Sequence, residues 1–241
     1  MRNTFLKLCF YIIPICTNSN LIAQNNDEGH YGQVDLTYGI NNSQSNISLD
    51  YQFILRTNAG STRKNRPIIL EFGFGGRFTS FFGRNVYFST VPLYHDKDPS
   101  HLDSVMISTP QISALNLLIN ISFCIKDRLR IGFTGDMIGF SFGSIRSGMY
   151  INGSDAKYVA VSPEHFNCFF HGVGSEEQIG SLKTEMFVSY LISGKWSAKV
   201  GLQIVTLEYV TDTKIQQYPE PNDRFRNESL LPSIGVVYKI H

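Results

Sequence analysis

Ten charged side chains recur on one parity of stretches that otherwise alternate apolar and polar residues. They are Asp35, Asp50, Glu71, Asp136 and Glu185 on the acidic side, and Arg77, Arg130, Lys183, Lys199 and Lys239 on the basic side. Acids and bases gathered in a protein interior can relay protons, pass ions or neutralise one another. Five stand against five, and no motif sets one apart from its neighbours. Mutual neutralisation is therefore the expectation, and no catalytic residue is assigned. Gln52, Asn116, Asn120 and Gln203 share the same parity and add hydrogen-bonding capacity.

Three other groupings carry chemistry. "HDKDPSHLD" (95–103) packs His95, Asp96, Asp98, His101 and Asp103 into one segment, with oxygen and imidazole donors close enough to suit a divalent cation. Acidic, His-containing loops are more often simply solvated, so neither a metal nor a cofactor is assigned. His165, His171, Ser175, Glu176 and Glu177 lie close in sequence, as a lipid deacylase would require, but no spacing fixes them at one rim. Cys124 ends one strand and Cys168 lies in a long connection. Most of the height of the fold separates them, far beyond disulfide reach, which predicts two free thiols.

The elements that must position these groups are strands. Two-residue periods occupy 31–41, 45–56, 67–82, 111–125, 129–143, 179–193, 195–211 and 229–241, while Pro, Gly, Asn and Asp cluster between them. No segment shows a helical period, and no repeat or linker divides the chain. The apolar faces run for nine to eleven residues, as in Leu115, Leu117, Ile119, Ile121, Phe123 and Ile125. A tilted strand needs about that length to cross hydrocarbon. Connections alternate in length: "KDR" (126–128) and "SGK" (193–195) are tight, whereas 83–110, 144–178 and 212–228 are long. Phe123, Tyr190, Trp196 and Tyr238 sit near the tight turns or the last strand's end, where an aromatic girdle belongs.

"KDRLRIGFTGDMIGFSFG" (126–143) contains one irregularity. Large residues move from odd positions (Leu129, Ile131, Phe133) to even ones (Ile138, Phe140, Phe142) around Gly135. An unbroken strand is the expectation, with the last three closing the upper interior; a bulge near Gly135 is the alternative. In the 144–178 connection, Phe166, Phe169 and Phe170 form an apolar cluster expected to fold over the mouth.

Composition bounds location. Of 241 residues only 17% are charged and 13% are aromatic, fewer charges than the roughly 25% of soluble domains. Arg2, Lys7, the apolar "FLKLCFYIIPIC" and Ala23 make residues 1–23 a secretory signal, leaving 24–241 as one domain. Without 1–23, 19 basic and 20 acidic residues remain, so no nucleic-acid partner is expected. No apolar run reaches the length of a spanning helix. These features predict an eight-stranded, up-and-down, antiparallel transmembrane β-barrel with a plugged polar lumen.

"IGFTGDMIGFSFG" (131–143), "IGSLKTEMFVSYLISGKWSAKVGLQIVTLEYVT" (179–211) and "NDRFRNESLLPSIGVVY" (222–238) resemble the small, uncharacterised outer-membrane β-barrel proteins of Bacteroidota. That resemblance implies location in the outer membrane of a Gram-negative bacterium, and it carries no activity. The expected partners are outer-membrane lipid and, through loops 83–110 and 144–178, another surface protein or lipopolysaccharide. The expectation is a non-enzyme with a structural or surface-interaction role. The alternatives are a soluble, lipocalin-like carrier, which needs an apolar lumen, and a lipid-modifying enzyme.

Overall fold

The computed structural model describes residues 29–57, 68–91, 102–152, 155–169, 178–217 and 221–240; the expected signal segment lies outside them. Among the described residues the named elements are thirteen β-strands and no helix, which corrects the expected count of eight. Eight long strands do occur: β1 (His30–Ile40), β2 (Gln44–Thr57), β3 (Ile68–Gly83), β6 (Gln111–Ile125), β7 (Leu129–Phe142), β11 (Leu182–Ser193), β12 (Trp196–Thr211) and β13 (Arg224–Ile240). The other five are short: β4 (Val86–Thr90), β5 (Ser104–Ile107), β8 (Arg146–Asn152), β9 (Asp155–Pro163) and β10 (Phe166–Cys168). They lie inside the connections 83–110 and 144–178. Short strands interrupted by Pro and Gly leave too few alternating residues to stand out in sequence.

The long strands pair antiparallel in the order β1, β2, β3, β6, β7, β11, β12, β13, and β13 pairs back to β1. Their pairings close a ring. A second closed circuit stands on it and shares the β12–β13 hairpin. The β1 pairing with β13 reaches Gly39–Ser233, and β4 takes the same edge higher up at Phe225–Thr90. On the other side, β11 pairs with β12 as far as Leu182–Thr206, and β9 takes over at Tyr209–Pro163. The β4–β5, β5–β8 and β8–β9 pairings complete six strands.

Tight turns mark the lower end of the eight-stranded ring. Lys126 (φ 49°) and Asp127 (φ 57°) both adopt positive φ, and Arg128 N–H donates to Ile125 O at 3.1 Å. Two positive-φ residues at the centre of the Ile125–Arg128 turn fit the right-handed twist of a hairpin. Gly194 (φ 38°) serves the β11–β12 turn. At the upper end of β1–β2, Asn41 Oδ1 accepts from Ser43 N–H and Gln44 N–H at 2.9 and 2.7 Å, an Asx turn.

Within the lower ring, burial alternates with a period of two. In β6, Leu115, Leu117, Ile119, Ile121 and Phe123 are exposed while Asn116, Leu118, Asn120, Ser122 and Cys124 are buried. The parity change in β7 is a bulge, and the expected unbroken strand is wrong. Leu117 pairs with Ile138 and the adjacent Leu118 with Asp136, so Met137 is the inserted residue. A bulge restores the apolar side chains to the outer face. Phe140 and Phe142 are 51% and 45% exposed, so neither plugs the interior, while Asp136 keeps its inward place. Phe166 pairs with Phe140 on the exposed side and does not fold over the mouth; Phe170 lies outside the described residues.

The upper ring reverses this arrangement. Phe88, Val105, Ile107, Tyr150, Val161, Leu207, Tyr209 and Phe225 form a buried apolar cluster that continues down to Phe81, Ile112 and Leu231. Phe88 meets Tyr209 edge-on, with ring centroids 5.1 Å apart. At its far end, the Tyr150 hydroxyl donates to Asp103 Oδ2, and burial, reinforced by this hydrogen bond, pushes that hydroxyl up to about 12.

Candidate functional site

The interior of the eight-stranded ring is where the charged residues of the inward parity converge. Its centre is Arg77 on β3, fully buried. Arg77 Nε and Nη2 donate to Asp50 Oδ1 and Oδ2, both at 2.9 Å, a bidentate pair. Nη1 donates to Asp136 Oδ1 at 2.8 Å and to Lys183 O at 3.2 Å, and Nη2 also donates to Thr134 Oγ1 at 2.8 Å. All five guanidinium donors are therefore used. Asp136 Oδ2 accepts from Asn116 Nδ2 at 2.8 Å and from Lys183 N–H at 2.9 Å. Lys183 Nζ is held by hydroxyls, those of Ser48 and Thr37.

Toward the turn end comes a second group. Lys199 Nζ lies 2.5 Å from Asp35 Oδ2 and 2.6 Å from Glu185 Oε2, over the Phe187 ring at 4.8 Å. Glu185 Oε1 accepts from Ser233 Oγ at 2.8 Å and Gln203 Nε2 at 3.1 Å. A third group closes the floor: Glu71 meets Arg56 Nε at 2.9 Å and Arg130 Nε at 3.1 Å. Arg56, Arg130 and Lys239 surround the Tyr31 ring at 5.7, 5.3 and 4.4 Å from its centroid. Cations are attracted to that π face.

All ten sequence-selected charges thus lie in or at the mouth of one interior, in three groups. Paired placement is what a narrow ring demands, because an isolated buried ion costs several kcal/mol. Parity reading missed Arg56, although it shares the parity of Asp50 and Gln52. It also missed Glu208, which is fully buried on the opposite parity of β12 from Leu207 and Tyr209. Glu208 meets Arg224 Nε at 2.6 Å and Arg226 Nη2 at 3.1 Å, and Gly180 N–H donates to it at 3.4 Å. Opposite charges facing each other across the last hairpin, Glu208–Arg226, were the available signal.

Of the aromatic residues, Trp196 pairs with Tyr238, their ring centroids 4.7 Å apart. Tyr190 and Phe123 stand beside Leu129 and Ile131. The four occupy the turn end. Phe123, Tyr190 and Trp196 are exposed and Tyr238 is half-buried. Cys124 and Cys168 are both buried, and no disulfide joins them. His95, Asp96, Asp98, His101, His171, Ser175, Glu176 and Glu177 lie outside the described residues. Asp103 is committed to Tyr150 and Asn152, and His165 is exposed. Among the described residues no group of three or more His, Cys, Asp or Glu is placed to hold a metal ion.

No family model matches the chain, and no curated protein does. Among solved structures, the crystal structure of Neisserial surface protein A (NspA) matches over 89% of this chain and 100% of its own, at 10% identity and a TM-score of 0.33. A likeness that low supports no statement about fold or function.

Proposed function

We propose that the chain is an integral β-barrel of the outer membrane of a Gram-negative bacterium, exported by its residues 1–23 and sealed along its axis. Its role is then structural or interactive, with the upper ring presented outside the cell. The observation that carries this reading is the inversion of the lower ring. Leu36, Tyr38, Leu49, Tyr51, Phe72, Phe74, Leu117, Phe133, Met186, Val200 and Ile234 are exposed while the charges are inside. Water outside would penalise so continuous an apolar surface, whereas lipid does not. The pairing circuit of the eight described long strands is closed, as hydrocarbon requires. A soluble carrier of an apolar ligand needs the opposite arrangement.

The interior supports a filled lumen rather than a pore, since Arg77 bridges β2, β3 and β7 across it and the apolar upper cluster lies above. A surface partner or lipopolysaccharide is the proposed contact. Cell fractionation tests the location: the protein should sediment with outer membranes and show heat-modifiable mobility on gels. Recovery in the soluble periplasmic or extracellular fraction would overturn it. Planar bilayers test the seal, where a steady large conductance is the contrary outcome.

A further inference from the structure

Between the floor group and the Lys199 group lies a small cavity of about 10 Å³, lined by the polar residues Gln33, Asp35, Glu71, Asn120, Ser122, Arg130 and Ser189 together with three apolar side chains. Three buried polar atoms of these lining residues have no hydrogen-bond partner among the described residues: Asp35 Oδ1, Asn120 Oδ1 and Arg130 Nε. Asp35 and Asn120 are each 2% exposed. Their other atoms are occupied, Asp35 Oδ2 by Lys199 and Asn120 Nδ2 by Gln52 Oε1 at 2.7 Å. Arg130 Nε is 3.1 Å from Glu71 Oε2, near enough for charge attraction but outside hydrogen-bond geometry.

Those three atoms define a ligand by elimination. Two acceptors and one donor lie around one small space. A cation would satisfy the two oxygens but meet the Arg130 guanidinium. An anion would satisfy Arg130 but meet the Asp35 and Glu71 carboxylates. A neutral molecule with two donors and at least one acceptor satisfies all three, and the volume admits about one water. We propose that this cavity is a hydration site holding one internal water. That water donates to Asp35 Oδ1 and Asn120 Oδ1 and accepts from Arg130 Nε. Among the described residues no direct hydrogen bond joins the Glu71–Arg56–Arg130 group to the Lys199–Asp35–Glu185 group. The water joins them, so the floor and the middle of the interior act as one network.

The test uses the intact, membrane-extracted protein. A high-resolution crystal structure should show one density peak about 2.7–3.2 Å from each of the three atoms. Parallel crystals grown in rubidium chloride and in sodium bromide should give no anomalous signal there. An empty cavity, a rubidium peak or a bromide peak would each overturn the proposal. The bridge has its own readout in a double-mutant cycle of Asp35→Asn and Arg130→Gln, measured by unfolding in detergent. Coupling through the water should change the unfolding constant by at least about threefold relative to independent effects; additive effects would reject the bridge. If one of these variants fails to fold, Asn120→Leu supplies the second arm, since it removes an acceptor at similar volume. Its crystal structure should lose the peak, and retention of the peak would reject Asn120 as a ligand.

Discussion

The two rings share one hairpin and fill themselves in opposite ways. Along β12 the inward residues run Lys199, Gln203, Val205, Leu207, Tyr209, crossing from charge to hydrocarbon within one strand. The outer surface changes in the other sense. Below it carries Val200 and Leu202; above, around the second ring, it carries Ser89, Ser104, Ser147, Ser162 and Glu228 alongside Tyr87 and Tyr158. On the proposed location, the surroundings outside decide what goes inside. Where water surrounds a ring, burying apolar side chains is favourable and drives its closure. Where lipid surrounds it, apolar groups gain little by moving inward, and polar groups that cannot face lipid must pair with one another.

This contrast predicts different failure modes. The largest effect is expected at Arg77. Arg77→Met leaves Asp50 and Asp136 buried without their cation, at a cost of about 3–5 kcal/mol. Urea unfolding in detergent should show it, and adding Asp50→Asn and Asp136→Asn should recover much of the loss, since removing all partners of a buried network is cheaper than removing one. The same single variant should still block ion flow in planar bilayers, because the apolar cluster of the upper ring remains as a second seal. Steady conductance from Arg77→Met alone would show that the two rings are not independent barriers.

Next comes the upper ring. Phe88→Ala removes a fully buried ring that packs on Tyr209, and about 3 kcal/mol is expected from lost transfer and the cavity left behind. The effect should be confined. Limited proteolysis should cut within the 83–110 and 144–178 connections, while the lower ring keeps its heat-modifiable mobility. Simultaneous loss of both would mean that the shared β12–β13 hairpin makes them one cooperative unit.

Much of the lower ring was legible because two signals coincide there: alternation long enough to cross hydrocarbon, and charges on a single parity. The upper ring was not, for physical reasons. Its strands β4 and β5 have five and four residues, and an inward run such as Val86, Phe88 in "NVYFSTV" carries too few periods to differ from an apolar loop. The bulge at Met137 was visible as a parity change, but sequence cannot weigh an inserted residue against an apolar plug. Register supplied the answer, through Leu117–Ile138 and Leu118–Asp136. Glu208 was hidden for a related reason, since its parity points outward and only the cover of residues 178–181 and the two arginines makes it internal.

The smallest effect is expected at the far tip of the upper ring, where Tyr150 donates to Asp103. Tyr150→Phe removes that hydrogen bond and should cost about 1 kcal/mol, read as faster amide exchange in β8 and β5. The hydroxyl also gives this tip an alkaline pH dependence. Its pKa is raised from the ordinary 10.0 to about 12, so the folded tip favours the protonated form. The stabilisation is fully present below pH 10 and is lost as pH rises through about 12. Exchange in β8 should therefore accelerate across that window in the native protein, and Tyr150→Phe should flatten the response. An unchanged pH profile in the variant would assign the alkaline loosening to another group and remove Tyr150 as the polar closure of the upper ring.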